Sequence, residues 1–424
     1  METLNLKRFA DIPLPKFVKV KQHFMQEKIE NVAKEVSTRL APHIKNLKGK
    51  SIAIGVGSRG ITNIKEITKT LVDELIAAGA KPFIIPTMGS HGGATAAGQA
   101  GVLASYEITP ESMGVPVNSS MEVVNIGELE PGLPIYVAQS ALQADGIVVI
   151  ARVKAHTAFR GPIESGVAKM ITIGLGKQIG ANSIHHQGFG RFAELIPKAA
   201  QMIVEKTKVL FALGIVENAY EQTYKIEVLP REDILTMKRE MALLEESKNI
   251  MGRLLFPEFD VLVIEEIGKN ISGDGQDPNV TGLYITKYCK GGPIFQKSVI
   301  FGLTEETHGN ACGVGMVDVV ARSLFENIDF TSTYTNSFTS TEISPVKIPM
   351  VAGSKEDALR IVVKTCNGVD NGKHRIVWIK NTLELEEIFI SEPLLEQAQA
   401  HSQIEILSEV VDLTFNQGEP IFPW

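Results

Sequence analysis

Hydrophobic positions change their period twice within the first hundred residues. An apolar run at 51–56 is followed by helically spaced apolar positions over 61–78, then Gly79, then a second apolar run at 81–86. Strand, helix and strand in such close succession predict a βαβ unit, and therefore a parallel sheet. An amphipathic stretch at 27–47 predicts a helix ahead of it. Further strands are expected at 134–137, 146–151 and 209–215, with a helix at 191–206. The chain over 231–255 is charged and helical, as a connector would be. Beyond it, strands are expected at 259–265, 297–303 and 375–379, and helices at 317–325 and 356–365.

This pattern predicts two α/β domains with mostly parallel sheets and an active-site cleft between them. The expected division is an N-terminal cofactor-binding domain at 1–245 and a C-terminal substrate and closure domain at 256–395. Hinge segments are expected at 231–255 and 392–405, and a C-terminal segment, 405–424, is expected to pack back on the first domain.

Composition narrows the function. The 424 residues exceed one ordinary core. With 44% hydrophobic and 21% charged residues, the chain has the balance of a soluble protein. Its formal charge is −7 and no Lys/Arg cluster stands out, so nucleic acid and anionic membrane are poor partners. Cys289, Cys312 and Cys366 are widely spaced, which suits a reducing cytoplasm. The first residues are polar, so no secretory signal is expected, and no run approaches the roughly 18 apolar residues of a membrane span.

Candidate chemistry is concentrated in one glycine-rich stretch, which contains His156, Lys169, Gly174, Gly176, Lys177, His185 and His186. Imidazole serves as an acid/base near neutral pH and as a metal ligand. A lysine among glycines can bind phosphate or carry a covalent cofactor. Two further loops come after predicted strands. The first, Gly55–Gly60, includes Gly57, Ser58 and Arg59; the second, 87–95, carries His91 between Ser90 and Gly92. In an open parallel sheet such loops share the carboxyl edge, so Arg59, His91 and His156 should converge. Gly55–Gly60 matches the G-x-G-x-x-G fingerprint, but the second strand ends without the acid that binds a dinucleotide ribose. An amide-lined loop presenting a guanidinium to a carboxylate or phosphate is the better reading.

The constellation resembles the nickel-dependent lactate racemase family. That resemblance implies a cofactor, a set of site residues and an activity. The implied cofactor is a nickel-pincer nucleotide, Ni(II) pyridinium-3,5-bisthiocarboxylic acid mononucleotide, attached covalently to Lys169. His185 looks like the nickel ligand, with His186 as the fallback. His91 and His156 look like the acid/base pair, and Arg59 like the clamp for the substrate carboxylate. Gly57, Ser58, Gly174, Gly176 and Lys177 are further candidates to hold the cofactor. The implied activity is inversion of C2 in a 2-hydroxy carboxylate by reversible hydride transfer, with cofactor-biosynthesis proteins as partners. The family's Tyr-Gln-x-x-Lys segment is not found. Polar loops carrying Lys269, Asp277 and Asn279, and His308 and Asn310, stand in the second block instead. They suggest a substrate more polar than lactate, such as a sugar acid. The alternatives are an NAD(P)-dependent oxidoreductase using Gly55–Gly60 and a non-catalytic metal- or ligand-binding relative.

Overall fold

The computed structural model describes residues 12–58 and 60–421. The chain forms two compact units, one of residues 26–251 and one of residues 1–25 together with 252–424.

The 26–251 unit is built on a five-stranded sheet. Its order is Lys81–Pro86, Ser51–Val56, Gly146–Arg152, Val209–Glu217 and Thr223–Pro230. The first four strands are parallel, and the last pairs antiparallel to Val209–Glu217. The predicted βαβ unit is present: the helix Ile64–Ala77 joins Ser51–Val56 to Lys81–Pro86. Its buried residues Ile64, Ile67, Leu71 and Leu75 follow the helical period. Ile52, Ile54, Val148 and Ile150 meet them from the sheet. Gly79, at φ 78°, takes the left-handed conformation that ends a helix without a side-chain penalty. The helix expected over 27–47 is shorter, Val32–Leu40, because the Asn31 side chain accepts from Lys34 N and starts it late. The charged stretch after 230 is two helices, Arg231–Thr236 and Lys238–Ile250, broken at Met237 with φ 57°.

The other unit carries an eight-stranded mixed sheet. Its order is Met350–Ala352, Val319–Ala321, Lys297–Leu303, Val261–Ile267, Ile376–Ile379, Glu387–Ser391, Phe17–Gln22 and Ile404–Ile406. The first five are parallel and the rest antiparallel. The segment 317–325 is not one helix. Val319–Ala321 is a buried strand pairing on both sides, and only Arg322–Glu326 is helical.

The expected domain division differs from this structure at both termini. Phe17–Gln22 pairs with Glu387–Ser391 and Ile404–Ile406, so this strand belongs to the second sheet. The C-terminal segment does not join the 26–251 unit. Val411 bridges Phe17, and Glu419 lies 3.0 Å from Lys355. Residues 392–405 therefore lie inside one unit, and the chain changes unit at 25/26 and at 251/252. No helix among the described residues is long and apolar enough to cross a membrane.

Candidate active site

Three loops leave the carboxyl edge of the five-stranded sheet, after Val56, Pro86 and Arg152. They carry Gly57 and Ser58, His91, and His156. Against them runs a short helical turn, Val167–Lys169, continued by a π-helical turn, Met170–Gly174, whose Leu175 N bonds Met170 O at 3.0 Å. Such π turns are frequent at functional sites. The packing is close at two glycines. A β-carbon on Gly57 would lie 2.7 Å from Met170 Cε, and one on Gly174 would lie 2.8 Å from the Thr87 carbonyl oxygen. Gly174 and Gly176 are thus explained by backbone approach, since a β-carbon on Gly176 would meet Gly180 Cα at 3.0 Å.

Lys169 and His156 meet: Nζ lies 2.5 Å from Nε2. The other ring nitrogen, Nδ1, accepts the Ala158 N–H at 2.9 Å. The His156 backbone N–H donates to Glu164 Oε2 at 2.7 Å, and the Arg160 guanidinium donates to the His156 carbonyl at 2.6 Å. Glu164 is itself held as an ion pair, Oε1 to Lys248 Nζ at 3.0 Å.

His185 ends the helix Lys177–His185. Its Nδ1 donates to the Ala181 carbonyl at 2.7 Å, which places the proton on Nδ1 and the lone pair on Nε2. Burial lowers its pKa, against the Ala181 bond. A neutral imidazole oriented by a carbonyl has the preparation of a metal ligand. His186 is exposed, so the fallback is the poorer ligand. The His185 ring packs edge-on to Phe192 and Phe189, at 5.2 and 5.8 Å. His156 contacts Phe189 and Phe159, at 6.2 and 4.5 Å. One aromatic cluster therefore links His156 to His185.

His91 is bonded through Nδ1 to Ser58 Oγ at 2.5 Å, and the Tyr106 hydroxyl donates to the Ser58 carbonyl. Its loop is held from below. Gln99 Nε2 donates to the carbonyls of Gly89 and His91, at 2.9 and 3.3 Å. Gln99 Oε1 accepts from Lys177 Nζ at 3.3 Å, and Nζ also donates to the Pro86 carbonyl at 2.6 Å. Lys177 is fully buried, and burial pushes its ammonium down to about 8. The expectation that it binds cofactor phosphate fails on this enclosure: it ties the His91 loop to the helix. Arg59 lies outside the described residues.

Sequence reasoning missed Glu240. It is buried on the helix Lys238–Ile250 and accepts the Ala168 N–H with both oxygens at 3.1 Å. A β-carbon on Gly166 would fall 2.2 Å from Glu240 Oε1. Its only signal was one acid in a charged helix.

In the other unit, the polar loops also leave the carboxyl ends of parallel strands, after Ile267 and Leu303. Asp277 Oδ1 accepts from Asn279 N and Nδ2, at 2.9 and 2.8 Å. The Lys269 ammonium donates to the Gly273 carbonyl, and Asn310 Nδ2 to the Ser332 carbonyl at 3.2 Å. His308 is exposed at φ 48°. Asp274, in the first of these loops, is buried, and its Oδ2 lacks a hydrogen-bond partner. Among the described residues no group of three or more His, Cys, Asp or Glu side chains forms a metal cluster.

Residues 6–191 match the lactate racemase N-terminal domain. No curated protein matches the chain. The structure is similar to that of the lactate racemase apoprotein from Thermoanaerobacterium thermosaccharolyticum. The TM-score is 0.52 at 15% identity, over 87% of this chain and 99% of that one. At that identity the likeness establishes the two-domain α/β fold. The residues matched to the lactate racemase N-terminal domain include His91, His156, Lys169 and His185.

Proposed function

We propose that this protein is a racemase or epimerase that inverts C2 of a 2-hydroxy carboxylate, using a nickel-pincer nucleotide tethered to Lys169. The observation that carries this reading is the juxtaposition of a half-buried lysine amine with His156, beside an imidazole whose Nδ1 is committed to the Ala181 carbonyl.

The residues suit that group. Lys169 offers the amine for attachment, His185 Nε2 one nitrogen donor, and the 57–58 loop the backbone amides for a nucleotide tail. When bound, the group supplies a hydride acceptor and donor at the substrate carbon. Everything else falls to the chain. His91 and His156 move the hydroxyl proton, one for each enantiomer. The Ser58 hydroxyl both donates and accepts, so it can follow His91 through either protonation state. Arg59 clamps the substrate carboxylate. The Asp277, Asn279, Lys269, His308 and Asn310 loops are proposed to read further substrate hydroxyls, which favours a sugar acid over lactate. The dinucleotide alternative is disfavoured by geometry. The helix after the loop begins at Ile64, four residues past Gly60, so its N-terminus does not open on the glycine loop. A cytoplasmic setting is supported by the lack of a disulfide among the three cysteines.

The test begins with the intact mass and nickel content of protein made in cells that synthesise the cofactor, beside Lys169→Ala. An adduct with nickel, lost in the variant, is expected. Racemisation of 2-hydroxy acids in D2O should then leave C2 unlabelled. Deuterium appearing at C2 would overturn hydride transfer in favour of proton abstraction.

A further inference from the structure

The hydrogen bonding of His156 dictates the protonation state of its neighbour. Nδ1 accepts the Ala158 N–H, a backbone donor that cannot reverse its role. A neutral ring in that position carries its proton on Nε2 and donates it. The atom it faces at 2.5 Å, Lys169 Nζ, must then be the acceptor. An ammonium has no lone pair to accept with, so the partner is a neutral amine.

We propose that His156 is the activating residue for covalent loading of Lys169. By holding Nζ as a neutral amine at ordinary pH, it makes this lysine a selective nucleophile toward acyl carbon. This inference rests on the proposed function for the identity of the natural acyl donor, but not for the reactivity itself. In the acylation the nitrogen lone pair forms the N–C bond, the leaving group departs with the bonding pair, and the amine proton passes to solvent. The product nitrogen is amide-like and no longer a basic acceptor, so His156 Nε2 is released. Loading would thereby switch His156 from holding the lysine to serving substrate.

The surroundings support a built site. His156 is buried, and its loop is pinned by Glu164 and Arg160. Lys169 is half-buried and so within reach of a small reagent. Charged and titratable groups packed around the pair include Arg160 and Glu164 on the same loop, Glu240 and Lys248 on the helix Lys238–Ile250, and His185 on Lys177–His185. Glu164 has two cationic partners, Arg160 and Lys248. Glu240 faces backbone amides.

The experiment uses the full-length apoprotein, without nickel or substrate. The N-hydroxysuccinimide ester of acetic acid is applied in limiting amount from pH 6 to 10. Acetylation of Lys169 and of the exposed Lys45 and Lys50 is followed by peptide mass spectrometry. Lys169 should reach its half-maximal rate at a lower pH than the reference lysines. Each unit of that difference is about a tenfold advantage near neutrality. In His156→Ala the curve should move back toward the references. Restricted access would lower the plateau without moving the midpoint, so the midpoint is the readout. A wild-type midpoint equal to or above that of Lys45 and Lys50 would overturn the proposal, even if His156→Ala does not fold. If Lys169 is activated but protein from cofactor-producing cells shows no adduct, the racemase reading fails while the activated lysine stands.

Discussion

Both carboxylate oxygens of Glu240 lie 3.1 Å from the backbone nitrogen of Ala168, the residue immediately before Lys169. A buried acid thus caps the turn that presents the reactive amine, and Gly166 leaves room for it. Burial raises the Glu240 carboxyl to about 7, against the backbone amides that lower it. Between about 4.5 and 7 the folded chain therefore holds a proton that the unfolded chain has lost. Stability falls as pH rises through that window and is level above it, by about 3 kcal/mol at most. Glu240→Gln should remove this slope. Chemical unfolding of both proteins at pH 5, 6, 7 and 8 checks it, and parallel pH dependence in the two would disprove it.

Lys177 holds the His91 loop through Gln99 and the Pro86 carbonyl, so its replacement should separate cofactor loading from catalysis. Lys177→Met leaves the Pro86 carbonyl and Gln99 Oε1 without their shared donor and loosens the 87–95 loop. Misplacing a reacting group by about 1 Å can cost on the order of a hundredfold in rate. The adduct on Lys169 should be retained while turnover falls by roughly that factor. Faster amide exchange at 89–95 should accompany it.

His185 is half-buried and its neighbour His186 exposed, and nickel retention distinguishes them. His185 donates Nδ1–H to the Ala181 carbonyl and packs on Phe189 and Phe192. His185→Ala should lose most of the nickel from loaded protein, and His186→Ala should keep it. Metal analysis after gel filtration reads the ratio directly. Equal loss in both variants would reject His185 as the sole ligand.

The site was legible in sequence where one local rule sufficed. Histidines in the loops after apolar strands placed His91 and His156 at the carboxyl edge, because parallel strands put all such loops on one side. The supports were not legible, because they come from distant polar positions. Glu240 lies in a charged helix that reads as a solvated connector, yet one of its faces is buried against 166–168. Lys177 beside two glycines reads as a phosphate ligand, and only tertiary packing shows it enclosed. Within Phe17–Gln22 only Val18–Lys21 alternates apolar and polar residues, over four positions. Its partners lie more than 360 residues away, beyond any local pattern.

Ser58 supplies the last test, because it touches His91 and nothing in the proposed tether. Its Oγ lies 2.5 Å from Nδ1, and its carbonyl is anchored by Tyr106. Without the hydroxyl the imidazole loses a partner that holds its orientation. Positioned proton transfer contributes about 10²–10⁴-fold, so losing part of that positioning should cost on the order of tenfold in kcat. Ser58→Ala should therefore lower kcat with little change in KM, and leave the Lys169 adduct and nickel content intact. Ser58→Thr, which keeps the hydroxyl, should restore most of the rate. If Ser58→Ala and Ser58→Thr fall together with the adduct unchanged, the loop is sensitive to shape at this position, and the hydroxyl is not what His91 uses.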